Sequence, residues 1–341
     1  MDGMTIGLLI ILILVFIIPF TVKVVEHNLE YFLFVMGIIA AFVGQAFNSQ
    51  LLLHALVNPI EITMAVLIAG LLFKWFQDQL GNAIYQMSNK IPFSLFVALI
   101  VILLGLLSSV ITAIIAALVL VLIVGHLSLD RKNTILLTIL SCFSIGLGAA
   151  LTPIGEPLST IVVSRMGGDF FYLLELVGIY IISGVIVLGL IAALLVKRND
   201  ELEGRVQQEE ESYDDIIVRA VKVYLFVFGL TMLGAGFEPL INTYLLDLHP
   251  AMLFWVNIIS SVLDNATLAA AEISQAMNPE TVKAILMGLL ISGGMLIPGN
   301  IPNIISAGKL KITSSEWAKI GLPFGFVIMV VYFVILMFIK L

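Results

Sequence analysis

Two carboxylic acids stand out because of what surrounds them. Glu156 lies in Leu151-Thr152-Pro153-Ile154-Gly155-Glu156-Pro157, and Asp264 lies in Ser260-Ser261-Val262-Leu263-Asp264-Asn265-Ala266-Thr267, each inside a long apolar run. An ionisable side chain costs about 2.5 to 3.5 kcal/mol at the centre of a membrane helix, so an acid kept there is a candidate for chemistry. A carboxylate ringed by hydroxyl, amide and free backbone oxygens makes a hard-oxygen site, suited to an alkali cation such as sodium or lithium. The same group can take up a proton instead, because burial penalises its ionised form. Competition between the two ligands is enough for exchange: protonation expels the ion and deprotonation recruits it.

The neutral oxygens for such a site are Asn265 and Thr267 beside Asp264, and Thr152 beside Glu156. Ser108, Ser109 and Thr112 lie in Leu107-Ser108-Ser109-Val110-Ile111-Thr112, and Asn300 and Asn303 in Leu296-Ile297-Pro298-Gly299-Asn300-Ile301-Pro302-Asn303. Proline removes a backbone donor and frees the carbonyl one turn back, while glycine lets the chain leave helical angles. Pro153, Gly155 and Pro157 in one stretch, and Pro298, Gly299 and Pro302 in the other, therefore predict unwinding over Thr152 to Pro157 and over Pro298 to Asn303. Structural roles compete with these. Asp264 and Glu156 could cap half-helices, and a membrane Ser or Thr often bonds to its own backbone.

The elements that carry these residues are membrane helices. Of 341 residues, 61% are hydrophobic and 11% charged, against about 25% charged in soluble domains, which excludes a soluble enzyme. The net charge of -7 and the lack of a basic patch exclude a nucleic-acid binder. Cys142 is the single cysteine, so no intrachain disulfide or cysteine-based metal cage is possible. No phosphate-binding Gly-rich loop ending in Lys-Ser or Lys-Thr is present, so the chain is expected to work without ATP, without a cofactor and without enzymatic turnover. The run from Met4 to Phe20 lacks a basic leader and an A-x-A site and reads as a retained first helix.

Apolar blocks run over 4–20, 30–47, 59–76, 91–126, 134–164, 171–196, 217–235, 250–277, 284–308 and 317–340. Most suit one crossing helix each. Block 250–277 is interrupted at Asp264-Asn265, leaving arms of about 13 residues that reach only ~20 Å of a ~30 Å core, so it is expected to be a re-entrant hairpin. Block 91–126 is interrupted at Ser108-Ser109 and can be a hairpin or two spans. With the N-terminus outside, 13 of the 16 basic residues fall on the cytoplasmic side, including Arg131, Lys197, Lys309 and Lys311. Acidic 197–216 reads as a cytoplasmic linker. Glu272 is placed at a partly hydrated position near the outer surface, Glu61 and Glu175 at helix starts, and Trp75, Trp255 and Trp317 in aromatic belts.

The same order of features recurs on either side of the linker, in 1–196 (from about 59) and in 217–341. Ser109 to Ser261 is an offset of 152, and Pro153 to Pro298 an offset of 145. On the charge-derived layout the copies face opposite ways, as in inverted-repeat transporters. The expected fold is all-α and polytopic, with two hairpins and two broken helices.

With these motifs in place the sequence resembles the ion transporter superfamily, over about residues 90–310. Thr152-Pro153-Ile154-Gly155-Glu156 looks like the S-P-I-G-D stretch of NhaD-type sodium/proton antiporters, and Ser261-Val262-Leu263-Asp264-Asn265 like their S-x-x-D-N. The whole looks most like a compact family of prokaryotic cation transporters. The resemblance implies an inner-membrane protein with dimerising scaffold helices and a moving unit that holds hairpins and broken helices. It implies sodium or lithium exchanged for protons, with Asp264 and Glu156 as carriers. Glu156 stands where the antiporters have Asp, and the first tip has no acid or Asn. The alternative is a coupled carrier of a small anion, arsenite or a carboxylate; neither tip has the S-N-T of the dicarboxylate symporters.

Overall fold

A computed structural model describes the backbone at residues 3–26, 28–127, 129–199, 212–244, 248–263, 265–273 and 277–338, and their side chains except at 20, 26, 58, 61, 62, 65, 69, 70, 73, 76–89, 219, 241, 242, 267, 270 and 271. Among the described residues all regular structure is helical. The helices are α1 (Gly3–Thr21), α2 (Lys23–Glu26), α3 (Leu29–Val43), α4 (Ser49–Lys90), α5 (Phe93–Ile111), α6 (Ala113–His126), α7 (Arg131–Ala149) and α8 (Pro157–Met166). There follow α9 (Tyr172–Leu195), α10 (Tyr213–Tyr244), α11 (Pro250–Val256), α12 (Asn265–Glu272), α13 (Pro279–Gly293), α14 (Ile301–Lys309) and α15 (Ser314–Phe338). Helices α5, α7, α9, α15 and most of α10 are long and apolar enough to cross a membrane, so 5 such helices lie among the described residues, and shorter apolar ones join them.

Local chemistry sets the helix starts. Asp130 accepts from Asn133 N at 2.7 Å at the start of α7, and Asn278 from Thr281 N at 2.8 Å at the start of α13. Before α15, Glu316 accepts from Thr313 N while Thr313 Oγ1 accepts from Glu316 N, a reciprocal capping box. Helix α8 ends at Gly167, whose φ of 64° lies in the left-handed region that glycine adopts without strain.

Close backbone approach organises the packing. Gly37 on α3 faces the Gly229 carbonyl on α10, and Gly44 faces that of Gly236; a methyl group at Gly37 or Gly44 would collide with that carbonyl. Glu30 and Lys222 form an ion pair across the same two helices. All three pairs share an offset of 192, so α3 and α10 run parallel in fixed register. Small residues let membrane helices approach in this way. Helix α5 runs parallel to α7: Ser144 Oγ donates to Val101 O, Ser108 Oγ to Ile145 O, and Thr152 Oγ1 to Ser109 O. Helix α6 then returns to the start of α7. The 3-10 turn Asn257–Ser261 that continues α11 runs parallel to α13 too, through Asn257 to Ile285 O and Ser260 to Leu289 O, and α12 leads back toward the start of α13. Helix α7 is 78% buried over its apolar window against 22% for α15, so the interrupted helices are central.

The ends also group. Arg131, at the start of α7, donates to Leu310 O, Lys311 O and the Glu316 carboxylate beyond the end of α14, while Lys197 N, just beyond α9, donates to Asn133. The segments holding Arg131, Lys197, Lys309 and Lys311 thus meet at one end of the bundle.

Several boundaries differ from expectation. Helix α4 continues to Lys90, 42 residues in all and about 63 Å long, running on through Pro59 and Gly81 and stopping only before Ile91-Pro92. The interruption of block 91–126 falls at Thr112, not at Ser108-Ser109. Both serines instead donate back to their own helix, to Gly105 O and Leu106 O, and stay helical. The linker is helical from Tyr213, and 200–211 lies outside the described residues. The second unwound stretch runs from Gly294 to Asn300, so Pro302 and Asn303 belong to the first turn of α14.

Candidate ion-binding site

The first break forms where α7 ends at Ala149. Gly155 lies so close to the Ala149 carbonyl that no side chain fits there, and its own carbonyl accepts from Ala113 N at 2.9 Å, tying the break to the start of α6. Thr152 Oγ1 donates to Ser109 O at 2.5 Å, which holds the break against the end of α5. Glu156 follows in extended conformation, φ -158° and ψ 160°, directly before Pro157 opens α8. Its side chain is 7% exposed and makes no capping bond to α8. Capping is therefore not what keeps an acid at this position.

The second break has the same form. Helix α13 ends at Gly293, a 3-10 turn covers Ile297–Gly299, and Asn300 is extended at φ -153° and ψ 147° before α14, again without a side-chain cap. Asn300 is 4% exposed and lies against Gly146 of α7, where a methyl group would meet its amide at 2.7 Å. Glu156 and Asn300 are 144 residues apart and occupy equivalent places. Asn303 holds the break closed, donating to Gly293 O and Leu296 O, both at 2.8 Å.

The arms repeat this correspondence. Ser108 on α5 donates to Ile145 O on α7, and Ser260 donates to Leu289 O on α13. The half-helix after each break packs against the return arm of the other half: α8 on α12, and α14 on α6. Helix N-termini leave backbone N–H groups unpaired, and in α8 and α14 those groups lie at the breaks.

The sequence-derived candidates divide as follows. Thr152, Pro153, Gly155, Glu156 and Pro157 gather at the first break, Pro298, Gly299 and Asn300 at the second, with Pro302 and Asn303 just inside α14. Asn265 opens α12 and is buried; its Nδ2 lies about 3.7 Å from where a methyl on Gly293 would stand and has no hydrogen-bond partner among the described residues. Asn303 Oδ1 is likewise buried without a partner among them. Asp264 lies outside the described residues, as does the side chain of Thr267. Ser109 and Thr112 are engaged locally, Thr112 capping α6 through Ile115 N at 3.4 Å, while Ser108 donates both to Gly105 O of its own helix and to Ile145 O of α7.

Three residues read otherwise from the sequence take different places. Glu272 is 1% exposed, not partly hydrated, because its helix is walled in by α10 and α8. Trp317 is fully buried rather than in a belt, and its indole donates to Gly294 O at the second break. Ser292, not singled out, donates to Asn257 O and joins α13 to the 3-10 turn Asn257–Ser261. The Ser292-Gly293-Gly294 run beside Pro298 was the available signal for it.

Two central interrupted helices within an apolar helical bundle define an all-helical polytopic membrane protein. Residues 5–339 match the profile of a family described as a protein of unknown function, DUF1646, and the chain belongs to that family. No curated protein matches it.

Proposed function

We propose that this protein is a secondary transporter exchanging sodium or lithium for protons across the cell membrane by an elevator-like movement, with Glu156 and Asp264 as carriers. The observation that carries the reading is the matched pair of breaks. Each ends in a buried polar residue, Glu156 or Asn300, that is not spent on capping the helix it precedes. Asn303 Oδ1 adds a buried oxygen without a partner among the described residues, of the kind a partly dehydrated cation satisfies. The half-helix cross-packing and the antiparallel course of α7–α8 and α13–α14 fit inverted repeats, and the 8 residues of α12 span about 12 Å, which fits re-entry.

A second reading has an observation of its own. The N-termini of α8 and α14 carry no side-chain cap and lie at the breaks, as a small anion would require. The two readings separate in proteoliposomes holding an imposed pH gradient, challenged with sodium, lithium, potassium and candidate anions. Dissipation by sodium or lithium in the wild type, lost in Asp264→Asn, is the expected result. Sodium-dependent accumulation of an anion with no cation-driven proton movement would sink the exchanger reading in favour of the second.

A further inference from the structure

Glu272, the last residue of α12, is buried at 1% exposure, and its carboxyl oxygens make no well-aligned hydrogen bond among the described residues, with the Asn257 amide as the polar group beside them. It lines a cavity of about 10 Å³ together with Leu12 of α1, Phe237 and Leu240 of α10, and Val256, Asn257, Ile259, Leu263 and Leu268 of the α11–α12 hairpin. That volume is about the size of one water. Asn257 is the other side chain there with polar atoms, and its amide already donates to Ile285 O at 3.4 Å.

The walls decide the ligand. No other charged side chain lines the cavity among the described residues. On the elements packed against α12, Glu238 of α10 and Arg165 of α8 are exposed, Asp214, Asp215 and Lys222 lie toward the other end of α10, and Glu280 and Lys283 of α13 pair with each other at 3.4 Å. A cation needs several oxygen ligands, and one carboxylate with one amide falls short of that. A carboxylate held in an apolar cavity must carry its countercharge with it. The ligand that fits is a proton.

We propose that Glu272 is a proton-binding site at the seam between the α11–α12 hairpin and helices α1 and α10, protonated from solvent as the seam closes over it and emptied when the hairpin moves away and water reaches it again. The part this proton plays in transport rests on the exchanger reading; the bound proton itself does not. At the seam the carboxyl O–H forms from a carboxylate and a solvent proton, and the proton returns to solvent when the seam opens.

Infrared difference spectroscopy of the full chain in lipid, titrated in pH, reads the site without any transport assay. The wild type is expected to show a protonated-carboxyl C=O stretch at neutral pH that disappears in Glu272→Gln and persists in Glu156→Gln. A Glu272→Gln spectrum that superimposes on the wild type, at equal helicity, overturns the proposal. Leu12→Asn, which keeps Glu272 and adds a polar partner to the cavity, is expected to move the loss of that band to lower pH; an unmoved band overturns the proposal as well. In proteoliposomes, Glu272→Gln is expected to lose uptake driven by a pH gradient. A Glu272 band in a protein that exchanges no cation leaves the proton site standing and removes the exchanger, whereas cation exchange without the band does the reverse.

Discussion

At the residue scale, the structure separates polar groups that hold the breaks from polar groups that cap no helix. Asn303 donates two bonds of 2.8 Å, to Gly293 O at the end of α13 and to Leu296 O, which also accepts from Gly299 N in the 3-10 turn. Asn303→Ala would orphan Gly293 O, at about 1 to 3 kcal/mol for a buried group left unsatisfied, and weaken the hold on Leu296 O, and should lower thermal stability in detergent clearly. Glu156 and Asn300 do not cap α8 or α14, and Glu156→Gln keeps the side chain's shape and an acceptor oxygen, so Glu156→Gln and Asn300→Ala should change stability by less than about 1 kcal/mol. The same two substitutions should reduce ion-driven proton movement at least about tenfold, the effect of losing roughly 1.4 kcal/mol of ion binding. Equal stability losses at all three asparagine and glutamate positions would mean the residues serve the fold alone. The acid at 156 and the Asn at 300 were legible in the sequence, because each is a costly polar side chain set between two prolines in an otherwise apolar run. Burial of Glu272 was not, since it depends on α10 and α8, which are remote in the chain.

At the element scale, two helix pairs depend on missing side chains. Gly229 lies 2.6 to 2.7 Å, measured from a methyl group built on it, from the Leu33 and Phe34 backbone of α3. Gly229→Leu should force α3 and α10 apart and cost about 1 to 3 kcal/mol or more, seen as a lower unfolding temperature, with the Lys222 to Glu30 ion pair strained alongside. Gly146→Ala acts on function instead, because its methyl would meet the Asn300 amide at 2.7 Å. Its expected signature is impaired exchange at nearly unchanged stability. The helical breaks near Pro153 and Pro298 were readable, since proline and glycine act locally. The break at Thr112 was not: Thr112 has a φ of 76°, a conformation imposed by its surroundings and not by a glycine. The serines at 108 and 109 misled for a physical reason, since hydroxyls that bond to the preceding turn leave the helix intact.

At the scale of the whole molecule, the contacts fall into two groups that an elevator would move past each other. Helices α3, α4 and α10 pack mainly among themselves, whereas α5, α7 and α9 form a second group, and α8 with α12 and α14 with α6 tie each half of the chain to the other. The cavity beside Glu272 lies on the seam, lined by Phe237 of α10 and Leu268 of α12. Alternating access by sliding requires that seam to open and shift, while contacts inside either group persist. Cysteines at Phe237 and Leu268, introduced on a Cys142→Ser background and bridged by mercuric ion, should arrest exchange, and reduction should restore it. Cysteines at Val101 and Ser144, on α5 and α7 inside the second group where Ser144 Oγ donates to the main-chain carbonyl of Val101 at 2.8 Å, should leave exchange running after the same treatment. If the seam bridge leaves transport untouched while the internal bridge stops it, the moving boundary lies inside the second group, between α5 and α7, and the carrier works by bending its central helices instead of sliding them.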